Sequence, residues 1–366
     1  MASGYGSRPP LVALIVVAAL AVLAAALGPA AISAQARGRP IPVLAYYYIW
    51  FDRSSWDRAK TDYPSLGRYS SDEARVMRAH IRWAKDAGID GFIVSWKSTP
   101  VLNSRLEKLI RVARAERFKL SIIYQGLDFY REPLPVRRIA GDLDHFITRY
   151  ARERVFDAFG KPLVIWSGTW RFSRGEVASV TRTRRARLLI LASERNTEAY
   201  RRLADVVDGD AYYWSSVDPD TFAGYEDKLR DMGRAIHARL GLWIAPAAPG
   251  FDARLVGGTR VIAREGGATL RKEFAAAVGS SPDAVGLISW NEFSENSHVE
   301  PSQKHDTRYL RMLADIIGQS SRPDFGVAAD SSEAGDGPAL GIPLLLGWAF
   351  LFAGGVLLLR GRRAHS

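Results

Sequence analysis

Eight short apolar runs, each followed by a longer amphipathic or charged stretch, set the tightest limit on this fold. The runs are Val43 to Trp50, Gly91 to Trp96, Leu120 to Tyr124, Leu163 to Trp166, Leu188 to Leu191, Ala211 to Trp214, Leu242 to Ala245 and Val285 to Trp290. They are rich in β-branched and aromatic residues, as strands are. Between them apolar residues return at helical spacing, as Val76, Met77, Ile81 and Ala84 do within Asp72 to Ala87. Further helices are predicted at residues 102–115, 139–151, 197–207, 224–240, 270–278 and 306–317. The stretch 174–187 is highly charged and shows no clear apolar face. Strands alternating with helices demand a parallel sheet with crossovers. Eight units predict an α/β protein, a closed (β/α)8 TIM barrel. An open doubly wound sheet fits less well, because no glycine-rich phosphate loop follows the first run.

A barrel of this kind carries its site at the C-terminal strand ends. Asp90 precedes the second strand and is therefore expected on the opposite face, in a structural role. Trp96 and Lys97 end that strand and are expected on the site face.

Two further apolar runs lie outside the barrel pattern. Leu11 to Leu27 is unbroken, Arg8 precedes it and Ala34-Gln35-Ala36 follows, so residues 1–36 read as a signal peptide. An uncleaved anchor is the alternative. Leu340 to Leu359 is long enough to cross about 30 Å of hydrocarbon at about 1.5 Å per residue. Arg360, Arg362 and Arg363 follow it, which predicts a transmembrane helix at 339–360 and a cytoplasmic tail at 361–366. The small, polar residues 319–338 read as a flexible stalk. The barrel, residues 37–318, is then expected outside the cell membrane, tethered by one pass through the lipid bilayer. The chain has no cysteine, which excludes disulfides, thiolate metal sites and cysteine nucleophiles. Its net charge of +11 comes mostly from Arg scattered among acidic residues, so no nucleic-acid partner is expected.

The strongest chemical signal directly follows the last apolar run, in the segment Ser289 to Pro301, SWNEFSENSHVEP. Glycoside hydrolysis needs two carboxyl groups, one to protonate the leaving oxygen and one to act as base or nucleophile. Glu292 and Glu295 are the candidate pair, set on a strand end and the loop beyond it. A solvated acidic loop is the bland alternative. Asn291 is a candidate to orient Glu292 or a sugar hydroxyl, and His298 a candidate substrate contact. Glu300 reads as a supporting or surface group. Aromatic residues also gather at the strand ends. Sugars pack their C–H faces on such rings, so Tyr48, Trp50, Trp96, Tyr124 and Trp214 are candidate binding residues, with polar Lys97, Gln125 and Asp210 beside them. Alternate strand residues must point outward, so about half of these aromatics are expected in the core. His80, His145, His237, His298 and His305 show no HxH or HExxH spacing, and no metal or other cofactor is predicted.

With these residues in view, the domain resembles the glycoside hydrolase family 99 type, the endo-α-mannosidase and endo-α-mannanase group. The similar stretches are AYYYIWFD at Ala45 to Asp52, RWAKDAGIDGFIVSWK at Arg82 to Lys97, FGKPLVIW at Phe159 to Trp166, APGFDAR at Ala248 to Arg254 and ISWNEFSENSHVEP at Ile288 to Pro301. The resemblance implies a (β/α)8 barrel and retaining cleavage of an α-linkage in an oligo- or polysaccharide. It implies that Glu292 acts as base on the substrate's own 2-hydroxyl, giving a 1,2-anhydro sugar, and that Glu295 is acid and then base. Two departures stand out. Phe293-Ser294 replaces the family's Trp-His, and Tyr124-Gln125-Gly126 lacks the usual acidic residues. Two other readings remain at this point, a non-catalytic glycan-binding barrel in envelope polysaccharide assembly and an α-glucanase on the same scaffold.

Overall fold

A computed structural model describes residues 41–318. The predicted signal peptide, stalk, transmembrane helix and tail all lie outside those residues. Among the described residues, no helix is long and apolar enough to cross a membrane.

Eight parallel strands make the barrel: β1 (Val43–Tyr48), β2 (Gly91–Trp96), β3 (Lys119–Gln125), β4 (Leu163–Ser167), β5 (Leu189–Leu191), β6 (Gly209–Ala211), β7 (Leu242–Ala247) and, after a hairpin, β10 (Ala284–Leu287). The hairpin strands are β8 (Phe251–Asp252) and β9 (Val261–Ile262). Hydrogen bonding runs in the order β5-β4-β3-β2-β1-β10-β7-β6. The ring is closed between β5 and β6 through Ala192. Its N–H donates to Gly209 O at 3.0 Å, and Ala211 N–H donates to its carbonyl at 2.9 Å.

Eight helices occur among the described residues: α1 (Ala74–Asp86), α2 (Pro100–Ala115), α3 (Val136–Arg149), α4 (Arg174–Arg184), α5 (Thr197–Arg201), α6 (Tyr225–His237), α7 (Ala268–Gly279) and α8 (Arg308–Ile317). The charged 174–187 stretch does form α4. Ser173 and Glu176 make a reciprocal cap, and a narrow stripe of Val177, Ala178, Val180 and Thr181 is buried. The sixth strand is 209–211 rather than 211–214, so Trp214 lies beyond it. The hairpin was not predicted, because two-residue strands display no alternation.

Parity decides which side chains face the barrel axis. Leu44, Tyr46, Ile93, Ile123, Leu163, Ile165, Leu191, Ala211, Tyr213, Ile244, Ala284 and Ile288 fill one buried cluster. Gly286 gives Tyr46 room to lie across the barrel, since a Cβ there would meet the Tyr46 ring at 3.0 Å. One step further along the same inward rows come Tyr48, Ser95, Gln125 and Ser167, so the apolar fill ends in a polar floor. Residues of the other parity, among them Tyr47, Phe92, Trp96, Tyr124 and Trp166, point to the helices.

At the opposite face one device recurs three times. Asp90, Asp208 and Asp283 each precede a strand. Their carboxylates accept the N–H of Val43, Ile190 and Trp243 at 2.8, 2.8 and 2.7 Å. Their own N–H groups donate to the carbonyls of those same residues. The structural role expected for Asp90 is this clamp.

Candidate active site

The loop after β10 is held first by β1. Trp290 N–H donates to Tyr46 O at 2.8 Å. Asn291 then grips the backbone of Tyr48 at both ends. Its Oδ1 accepts Tyr48 N–H at 2.9 Å and its Nδ2 donates to Tyr48 O at 3.0 Å. The loop also folds on itself, with Ser297 N–H donating to Glu292 O at 3.2 Å and Glu292 N–H to Ser289 Oγ at 2.9 Å.

Two buried acid–histidine pairs brace this loop. Glu300 accepts from Tyr69 OH at 2.8 Å and from His80 Nε2 at 3.0 Å, while His80 Nδ1 meets Tyr47 OH at 3.1 Å. Asp62 accepts from His298 Nε2 at 3.1 Å. Arg264 donates to the carbonyls of Asn296 and His298, both at 2.8 Å. The hairpin adds a further hold, Asp252 N–H to Glu295 O at 2.7 Å.

This scaffold buries Glu292 and Glu295 to 3% exposure each. Both carboxylates act electrostatically on the same two phenols, Tyr48 and Tyr213, whose hydroxyls are hydrogen-bonded to one another. Burial above all pushes both phenols far above the ordinary tyrosine value, and the two carboxylates add to it. Burial also lifts Glu292 to about 7, against the lowering effects of Ser294 and Lys60. Ser294 N–H donates to Glu292 Oε1 at 3.0 Å. Arg131 lies in the field of Glu295. A carboxyl group titrating near neutrality, paired with a second buried carboxylate, suits proton transfer in both directions.

The predicted site residues fall into two groups. Glu292 and Glu295 lie on the loop after β10, within the electrostatic reach of Tyr48, and Gln125 ends β3, where its Nε2 donates to Ser95 Oγ at 3.0 Å. Trp50 lies 4.4 Å from the Tyr48 ring and lines a cleft with Arg58, Lys60 and Ser294. Trp214 is at the rim, 5.2 Å from Trp170. Lys97 is also at the rim, buried enough to be lowered to about 8, with Arg138 adding to the effect.

Five assignments need correction. Trp96 points outward, packs on Tyr124, Phe146 and Tyr150, and donates to Asn103 Oδ1 at 3.0 Å. Tyr124 shares that parity and donates to Asp142 Oδ2 at 3.0 Å. Asp210 is fully buried on the outward side of β6, accepts Glu194 N–H at 2.8 Å, and is pushed by burial well above the usual carboxylate range. Asn291 spends its amide on the Tyr48 backbone. His298 stacks 3.9 Å from Phe293, and burial with Arg264 lowers it to about 3, so it stays neutral. Glu300, read as a supporting or surface group, is a buried strut. The departure Phe293 is likewise a packing residue, set between His298 and Trp56.

Several members of the site were missed. Tyr213 lay inside a predicted run, but the rows facing the axis were not assigned. Lys60, Asp62, Tyr69 and Arg264 sit in loops with no local signal. Asp62, His298 and His305 bring one ligand atom each within 4.8 Å of one another, a grouping invisible in their spacing. Arg264 NH2 lies 3.4 Å from His298 Nδ1, which leaves Nε2 to carry the proton given to Asp62. A protonated Nε2 beside a guanidinium suits a clamp and opposes a cation.

Comparison with known proteins bears on the family and the fold. The model of Glycosyl hydrolase family 99 matches residues 51–316. A GH99 endo-α-mannosidase from Bacteroides thetaiotaomicron superposes with a TM-score of 0.67 at 18% identity, covering 76% of this chain and 96% of that one. The same enzyme in complex with BIS-TRIS propane gives 0.66 at 19%, with the same coverage. A glycoside hydrolase-like protein gives 0.58 at 16%, covering 76% and 94%. No curated protein matches.

Proposed function

Since the chain belongs to glycosyl hydrolase family 99, we propose that it cleaves an α-linked, mannan-like glycan with retention, using Glu292 and Glu295. Glu292 takes the proton of the sugar's 2-hydroxyl as that oxygen bonds to the anomeric carbon. Glu295 protonates the departing glycosidic oxygen. Water then opens the resulting 1,2-anhydro sugar, losing its proton to Glu295 while Glu292 returns one to the 2-oxygen. Both groups end as they began. What supports this reading is that both glutamates are buried on the loop after β10 and that the charge of each reaches the Tyr48–Tyr213 pair.

The test uses the full-length protein on α-mannan and α-glucan, with the product anomer followed by NMR. Retained α-anomer from mannan is expected, and Glu295→Gln should lower kcat by roughly a thousandfold or more while circular dichroism stays unchanged. Inverted product, or activity surviving Glu295→Gln, would sink the assignment. Binding of both glycans without turnover would favour a non-catalytic barrel.

We further propose that residues 1–36 direct export and that the helix at 339–360 holds the barrel outside the cell membrane on the 319–338 stalk. The length and flanking charges of the two apolar runs support this placement.

A further inference from the structure

One basic cluster at the rim has no part in the mechanism above. Arg195 follows β5. Its guanidinium lies 4.8 Å from the Trp170 ring centroid and 4.5 Å from that of Trp214. Stacking occupies only the faces of a guanidinium and leaves its edge N–H groups for other partners. Among the described residues none of those groups donates a hydrogen bond, and no carboxylate lies within ion-pair distance. The adjacent Glu194 is turned to Arg202, 3.2 Å away.

Lys228, on α6, is the second cation. Its Nζ donates to Tyr212 OH at 2.8 Å and lies 4.5 Å from that ring's centroid, again with no carboxylate in ion-pair distance among the described residues. Arg195 and Lys228 line one open cavity of about 700 Å³. Three acidic residues also border it. Asp227 and Asp231 are held by Arg230 and Arg234, and Glu198 lies on the exposed first turn of α5. Burial, then Arg195, lowers Lys228 to about 8. Burial, then Arg131, lowers Arg195, and Arg171 adds to this. Cations crowded and partly desolvated in this way are stabilised by an anion placed between them.

We propose that this rim is a subsite for a negatively charged substituent, a carboxylate or phosphate carried by a sugar unit of the glycan. The proposal rests on the family 99 reading and names the class of glycan that reading leaves open.

The test is calorimetric titration of the full-length protein with mannose, mannose 6-phosphate, glucuronate and inorganic phosphate. At least one anionic sugar should bind ten times more tightly than mannose, and which one does so tells phosphate from carboxylate. Arg195→Gln with Lys228→Gln should remove that margin, whereas Lys228→Arg should keep it. Equal binding of all three sugars would overturn the proposal. So would a margin that survives the double substitution, or inorganic phosphate binding as tightly as the sugar phosphate. Hydrolysis is not read in this experiment. A protein that shows the margin yet never cleaves α-mannan loses only the catalytic reading, and one that cleaves without the margin loses only the subsite.

Discussion

Glu292 owes its titration near neutrality to burial, moderated by the Ser294 N–H and by Lys60. The base role proposed for Glu292 requires it unprotonated in the free enzyme, so kcat/KM should fall as the pH drops through about 7. Replacing Lys60 with Met removes the stabilising cation, raises the Glu292 pKa and moves that limb to higher pH. A pH–rate profile of Lys60→Met that coincides with the parent's, or shifts downward, would contradict this pairing. The two glutamates stand out in the sequence because their spacing and strand-end position suit the chemistry proposed for them. Lys60 does not, since its effect on Glu292 is made across a loop and carries no local pattern.

At the scale of elements, all eight strands were readable, and so were all the helices but the charged α4. The parity of each strand was not. Parallel strands buried on both faces are apolar on both, so composition does not reveal the inward row. This is why Trp96 and Tyr124 were placed in the cleft when they pack under helices, while Gln125, one residue on, does reach it. The weakest stretch of the ring is β5–β6–β7, where two strands have three residues each. Gly209 sits there with φ +150°, and a Cβ on it would lie 2.0 Å from Leu242 O. Gly209→Ala should therefore cost roughly 3 kcal/mol or more in urea denaturation. Gly175→Ala is the control. Gly175 is helical and has open space around its Cβ position, so the change should be neutral or stabilise by up to about 1 kcal/mol. A Gly209→Ala protein as stable as the control would refute the crowding argument.

At the scale of the whole molecule, the family and the fold followed from patterns spread along nearly the entire domain. The contacts that fix the site did not, because they join distant positions: Asn291 grips Tyr48 across 243 residues. The proposed tether belongs to this scale as well. The full-length protein should sediment with membranes and be released by detergent. A chain ending at residue 338 should appear in the medium. Retention of that truncated chain in the cytoplasm would contradict export, and release of the full-length protein without detergent would contradict the anchor.

That grip of Asn291 on Tyr48 joins the first strand of the barrel to the loop that follows its last. The loop that carries both glutamates is pinned only when the seam between β1 and β10 has zipped shut. Hydrolytic power should therefore switch on in a single step late in folding, with no partly assembled barrel able to attack sugars before that seam is made.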